Sequence, residues 1–163
     1  MVAYLNLSIA AERAGRGNEA LSWGRLATEV GPDDARPHVQ YSRLLAAHGD
    51  AAGARRELAL ASRAAACLVL RREPDNAFAR RRLGSALVEL GQTEQGLAEL
   101  RRAVSLDEGD SANHLALGEG LVAAGLSSDA VREYERVLAI QPNGPAADAA
   151  RKRIQSMAPP AHK

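Results

Sequence analysis

One pattern recurs four times along this chain, and it constrains the fold more than any other feature. Each segment has a helical pattern of apolar residues, a turn that contains glycine, a second helical pattern, and then a stop. The segments are residues 1–34, 35–76, 77–110 and 111–144, and three of them are 34 residues long. A repeat of this length built from two helices predicts an array of stacked helical hairpins.

The residues between the helical patterns are those that end and start helices. Glycine tolerates the left-handed backbone that closes a helix, and one follows the first helix of each segment. These glycines are Gly15, Gly49, Gly91 and Gly125. The predicted caps of the second helices are Asn18, Asp50 and Ser127. No stretch alternates as a strand does, so the sequence predicts an all-α chain.

The second segment is longer than the other three. Residues 51–73 contain one glycine and no proline, so the second helix could be extended by about two turns. The alternative is a small inserted loop. An extended helix would carry residues 67–72 beyond its neighbours and expose Leu68, Val69 or Leu70 as a docking ridge. Cys67, the one cysteine, is expected to be a buried, inert thiol because it lies between apolar residues.

The two ends of the repeat array differ. Residues 145–158 predict a helix with one apolar and one charged face, which is typical of a solvating cap on a repeat array. Residues 159–163 are expected to be a disordered tail, so the predicted single domain covers residues 1–158. No polar cap precedes the first repeat. Two explanations stay open: the chain is the C-terminal part of a longer protein, or its first repeat packs on another copy.

Several residues recur at the same offsets in all four segments. A large residue precedes a small one at Leu7-Ser8, Tyr41-Ser42, Leu83-Gly84 and Leu117-Gly118. The second helices carry small or apolar residues at two further offsets: Ala20, Ala54, Gly96 and Ala130, then Ala27, Ala61, Ala103 and Val137. In these offsets residues 1–144 resemble the tetratricopeptide repeat family. An aromatic residue is preferred at a fourth offset, where only Tyr4 fits and His38, Arg80 and His114 depart.

The resemblance implies a right-handed α-solenoid of four helix-turn-helix repeats plus a C-terminal capping helix. It also implies that the first helices line a concave groove that binds a partner protein. Transferred slot by slot, the partner-binding residues are Asn6, Arg36, Gln40, Arg43, Phe78, Arg81, Arg82 and Glu119. The arginines could hold carboxylates through paired hydrogen bonds, so the partner is expected to be a peptide or protein with acidic character.

Two further implications concern the same helices. Some members of the family clamp the C-terminal carboxylate of chaperones with five basic or amide side chains. The matching slots here are Leu5, Ile9, Gln40, Phe78 and Arg82, and one match in five rejects that role. Val2, Leu5 and Ile9 are expected to pack either on an upstream repeat or on a second copy of the chain, which would give a homo-oligomer.

Composition excludes several other classes of function. The formal net charge is +1 and aromatic residues make up 3%, which argues against nucleic-acid binding. His38, His48, His114 and His162 lack metal-ligand spacing, and Gly118-Glu119-Gly120 is too short for a phosphate loop. We therefore predict no enzyme, no cofactor and no metal. No apolar run is long enough to insert into a membrane, and residues 1–10 do not form a signal peptide.

The leading hypothesis is a protein–protein interaction scaffold that binds an extended or helical segment in its groove. One rival is a structural module that self-assembles through its first repeat. A second rival is the accessory C-terminal domain of a larger enzyme. The alanine- and arginine-rich composition is typical of a bacterial chain, and the compartment stays open between cytoplasm and periplasm.

Overall fold

The structure is a computed structural model that describes residues 1–157. Within them it contains nine α-helices and no strand, which confirms the all-α, helical-repeat prediction. The expected tail at 159–163, with His162, lies outside the described residues. The helices are α1 (Val2–Arg13), α2 (Gly17–Val30), α3 (Ala35–Ala47), α4 (Ala51–Leu70), α5 (Ala77–Glu89), α6 (Thr93–Leu106), α7 (Ser111–Ala123), α8 (Ser127–Ile140) and α9 (Pro145–Met157).

A glycine turn closes the first helix of every repeat, as expected. The backbone φ angles of Gly15, Gly49, Gly91 and Gly125 are 71°, 85°, 80° and 76°. The amide of the next residue then bonds a carbonyl of the last helical turn, as in Arg16 to Ala11 at 2.9 Å. This pairing satisfies carbonyls that the end of the helix leaves open.

The helix starts differ in part from the predicted caps. Asp50 caps α4 by accepting from the amide of Gly53 at 2.8 Å. The predictions for Asn18 and Ser127 were wrong, because α2 begins at Gly17 and α8 at Ser127. Both residues are already helical, and no side chain caps either start. The first helices of the second, third and fourth repeats are capped instead, by Asp34, Asn76 and Asp110.

The chain divides into two compact units. Unit 1 is Met1–Arg71 and unit 2 begins at Arg72. In unit 1 the hairpins α1–α2 and α3–α4 stack, with α2 packed on α3 and α1 on α3. In unit 2 the hairpins α5–α6 and α7–α8 stack in the same way, and α9 covers α7 and α8. The single domain over residues 1–158 stays a prediction.

Within each unit the first helices touch one another. Helix α1 contacts α3, and α5 contacts α7, whereas among the described residues α2 does not reach α4 and α6 does not reach α8. Each hairpin stack is therefore closed on the side of the first helices and open on the side of the second. We call the surface formed by the first helices of one unit its first-helix face.

Small residues allow the helices of a hairpin to approach closely. A Cβ atom on Gly84 in α5 would lie 2.8 Å from the carbonyl oxygen of Gly96 in α6, and the reverse distance is the same. Neither position therefore has room for a side chain. In unit 1 a hydroxyl bridges the same junction, since Ser8 donates to the Ala20 carbonyl at 2.9 Å.

Helix α4 is unbroken over 20 residues, whereas the second helices of the other repeats have 14. Six of the eight added residues are thus helical, so the extension is mainly helix rather than an inserted loop. In its last turns Ala64 and Ala66 are buried, but Leu68 is 56% exposed and Val69 is 38% exposed. Cys67 is only partly buried, so the expected enclosed thiol is not observed.

Candidate functional site

In each repeat, the side chain at the position of the aromatic preference contacts a side chain of the second helix. We call this position the aromatic slot. In the first repeat Tyr4 stacks on Trp23, with ring centroids 5.9 Å apart. The same slot in the other repeats holds a basic residue paired with a glutamate 19 positions later. These pairs, each 2.7 Å long, are His38–Glu57, Arg80–Glu99 and His114–Glu133. In the second, third and fourth repeats a hydrogen bond between a basic residue and a glutamate therefore replaces the ring contact.

The basic residue of this slot also bonds the loop before its own helix. His38 contacts the carbonyl of Pro32 at 3.1 Å, and His114 contacts the carbonyl of Glu108 at 3.1 Å. With an acceptor at each ring nitrogen, both rings are fully used inside the hairpin. The hydrogen bond that His38 donates to the Glu57 carboxylate raises the pKa of His38 against the opposing effect of burial. Both histidines therefore take part in the packing of the repeats.

The first-helix face of unit 1 carries a polar network between α1 and α3. Gln40 donates to the carboxylate of Glu12 at 2.8 Å, and Arg43 donates to the same oxygen at 2.6 Å. The hydrogen bond from Gln40, followed by that from Arg43, lowers the pKa of Glu12 although partial burial opposes the shift. Gln40 is buried, so its amide serves the contact between the two repeats. The Arg43 side chain remains 63% exposed.

Asn6 and Arg36 lie on other parts of unit 1. Asn6 is exposed on α1, beside a shallow depression that Ile9, Ala10 and Arg13 also line. Arg36 lies in the first turn of α3, where it forms an ion pair with Asp34 at 2.6 Å. The hydrogen bond from Arg36 lowers the pKa of the Asp34 carboxyl. Both Arg36 and Arg43 therefore already face a carboxylate of their own chain.

The first-helix face of unit 2 carries an exposed aromatic side chain, Phe78, which is the most exposed large hydrophobic residue of the described chain. Phe78 is 61% exposed at the start of α5, and the guanidinium carbon of Arg81 lies 5.2 Å from its ring centroid. Arg81 also reaches Asp110 at 3.4 Å and is mostly buried. Arg82 is exposed one position further along. The sequence thus placed these residues on one face, but it did not show that Arg81 supports the phenylalanine ring.

Glu119 borders a small pocket between α5 and α7, which we call the α5/α7 pocket. Its volume is about 100 Å³. The lining residues are Ser85, Val88, Glu89, Leu100, Ala116, Glu119 and Gly120. Sequence reasoning named Glu119 but missed Glu89, Ala116 and Gly120 as parts of a site. The signal that could have found the pocket was Gly120, because a glycine inside a helix costs stability unless packing requires it.

The residues expected to mediate self-association lie on α1. Val2 is 53% exposed, whereas Leu5 and Ile9 are partly buried. Leu7 is also 44% exposed, on another side of the helix. The helix therefore carries apolar surface that α2 and α3 leave uncovered.

The described part of the chain holds neither a metal-binding cluster nor a helix that could span a membrane. Across residues 1–157, no three His, Cys, Asp or Glu side chains are close enough to hold a metal ion. None of the helices in that range is both long and apolar enough to cross a membrane.

Solved structures with the same architecture are numerous, although neither a protein-family profile nor a curated protein sequence matches the chain. TTC0263, a thermophilic TPR protein of Thermus thermophilus, is 18% identical with a TM-score of 0.51. That match covers 94% of this chain and 97% of the other. The first TPR domain of Spaghetti (RPAP3), solved with the HSP90 peptide SRMEEVD, is 20% identical with a TM-score of 0.52. This match covers 78% of the present chain and 98% of the RPAP3 domain chain.

Proposed function

The chain has the fold of tetratricopeptide repeat proteins, and we propose that it is a protein-interaction scaffold that binds a segment of a partner on its first-helix faces. The observation that carries this proposal is Phe78. A phenylalanine ring that is 61% exposed and held under a guanidinium is suited to receive an apolar side chain. The RPAP3 domain, which shares the fold, was solved with a bound peptide.

The first-helix face of each unit also carries positive charge, from Arg36 and Arg43 in unit 1 and from Arg82 in unit 2. The guanidinium groups of Arg36 and Arg43 remain well exposed beside their own carboxylates, so each could also accept a carboxylate of the partner. Exposed ion pairs of this kind contribute little to stability, and a partner can therefore compete for them at small cost. On either face, a partner segment with acidic groups opposite the arginines fits the charge.

A library of displayed random peptides, selected against the intact chain, tests the proposal. We expect an enriched sequence class whose binding is lost in Phe78→Ala and weakened in Arg82→Glu. Leu58→Ala is the matched control for the first variant, because Leu58 is 53% exposed but lies on the second helix α4. Arg101→Glu, on α6, controls for charge reversal. The proposal would be contradicted if no class of peptide sequences were enriched. It would also be contradicted if the control variants lost as much peptide binding as Phe78→Ala and Arg82→Glu.

A second candidate function is self-association through α1. The specific observation is Val2, which is 53% exposed on a helix that also carries the partly exposed Leu5 and Ile9. A second copy would remove this apolar surface from water. The mass of the chain in solution decides between this function and a monomeric scaffold.

A further inference from the structure

The α5/α7 pocket has the dimensions of a single side chain. Small-molecule sites usually enclose roughly 300 Å³ or more, whereas this pocket encloses about 100 Å³. It opens between α5 and α7, two first helices of unit 2. A peptide lying on the first-helix face would therefore pass its mouth and could place one residue inside.

The floor of the pocket is apolar, whereas its polar lining residues are Ser85, Glu89 and Glu119. Leu100 of α6 is fully buried, and Ala116 and Val88 flank it from α7 and α5. A Cβ atom on Gly120 would lie 2.8 Å from a methyl carbon of Leu100, so glycine allows α7 to pack directly on this leucine. The apolar floor can accept the methylene stem of a long side chain.

Two carboxylates lie among the lining residues, which distinguishes this pocket from a plain apolar depression. Glu89, at the end of α5, is exposed. Glu119 has one partner, Arg153 at 3.2 Å, and both side chains of that pair are about half exposed. Such a pair is weak in water, so Glu119 can exchange it for another cation.

We propose that the α5/α7 pocket receives a lysine or arginine side chain of the bound segment; this specificity rests on the proposed scaffold function. The methylene stem packs on Val88 and Ala116, and the cationic head lies beside Glu89 and Glu119. A carboxylate would be repelled here. A purely apolar side chain would shield both carboxylates from water and would bring no cation to Glu89.

The first test uses a probe small enough to report on the pocket alone. N-acetyl-lysine-N-methylamide is titrated into the isotope-labelled chain, and the backbone amide signals of Ser85, Ala116 and Gly120 are followed by NMR. We expect saturable shifts at these amides. The norleucine derivative, which has the same stem without the charge, is expected to bind about tenfold more weakly.

Two variants separate charge from shape. Glu89→Gln with Glu119→Gln keeps the size of both side chains, and it should abolish the preference for lysine over norleucine. Ala116→Leu fills the pocket and should remove the shifts caused by either probe. Glu94→Gln, on an exposed turn of α6, is the matched control and should change nothing. Equal binding of both probes to the wild-type chain, or a lysine preference that survives the double variant, would overturn the proposal.

The displayed-peptide selection distinguishes this inference from the function on which it rests. Enriched peptides with a lysine or arginine at one fixed position, lost with the double glutamate variant, support both. Enriched peptides that contain no fixed basic residue leave the scaffold function standing and overturn the pocket's specificity. Absence of any enriched class contradicts the scaffold function, and the NMR titration then decides on the pocket by itself.

Discussion

Both ring nitrogens of His38 contact acceptors, so the ring is best satisfied when it carries two protons. The hydrogen bond with Glu57 raises its folded-state pKa above the ordinary value of 6.5, while burial and Arg63 oppose the shift. A group whose pKa rises on folding stabilises the fold at low pH. That contribution is complete below about pH 6.5, the unfolded value, and is lost as the pH rises through the folded pKa.

The stability of a His38→Gln variant should therefore depend on pH differently from that of the wild type. We expect the difference in free energy of unfolding to be largest near about pH 5.5 and to shrink toward about pH 8. Urea unfolding at several pH values measures it. His48→Gln is the control, because His48 is exposed and its ring bonds the carbonyl of Leu44, one turn back at the end of α3. If the difference in free energy of unfolding grew as the pH rose, the stabilising effect of a protonated His38 ring would be refuted.

Gly84 supports a second prediction at the scale of one residue. A Cβ atom there would meet the carbonyl oxygen of Gly96 at 2.8 Å and the amide nitrogen of Leu100 at 3.0 Å. Backbone atoms of α6 cannot move aside without moving the helix, so Gly84→Ala should destabilise the chain by about 1–3 kcal/mol. Urea unfolding measures the loss. Gly109→Ala, whose new methyl would meet only a side-chain oxygen at 3.5 Å, should be close to neutral.

At the scale of the element, the end of α4 is packed on one side only. Ala64→Gln places a polar side chain at a buried position and should cost about 1–3 kcal/mol. Leu68→Gln, one turn later, changes a side chain that is 56% exposed and should remain within about 0.5 kcal/mol of the wild type. Denaturant unfolding compares the two. If Leu68→Gln lowered the free energy of unfolding as much as Ala64→Gln, the surface around Leu68 would have to be covered in solution.

The hairpins could be predicted from the sequence because their boundaries are local. Gly15 and Gly91 end their helices through a backbone conformation that glycine adopts without strain, whatever the rest of the chain does. The caps at Asn18 and Ser127 were predicted wrongly because a cap depends on which residue starts the helix, within one or two positions. The pairing of His38 with Glu57 needed the register of two packed helices, which a helical pattern alone does not give.

For the whole molecule, the placement of the candidate site was easier to predict than its chemistry. The repeat offsets placed Phe78 and Glu119 on first helices, where the structure also has them. They could not show that Arg81 and Arg43 already face carboxylates at Asp110 and Glu12. Glu12 lies on α1 and Asp110 caps α7, so both contacts depend on how one hairpin stacks on the next rather than on the pattern within one hairpin.

In the self-association proposal, the apolar surface of α1 determines the oligomeric state of the whole molecule. If the apolar surface around Val2 binds a second copy, light scattering over a hundredfold concentration range should show a mass that rises above 17.2 kDa. Val2→Glu should restore the monomer mass at every concentration, since it places a charge in the contact. Val30→Glu, at 51% exposure on α2, is the matched control.

Leu5→Glu tests the same contact closer to its centre, with circular dichroism to verify that the partly buried position still folds. A constant mass of 17.2 kDa for the wild type would contradict self-association and leave the monomeric scaffold. A rising mass that Val30→Glu abolishes as well as Val2→Glu would place the contact elsewhere. Only a loss confined to the α1 variants assigns the interface to α1, because only there does the added charge lie between the two copies.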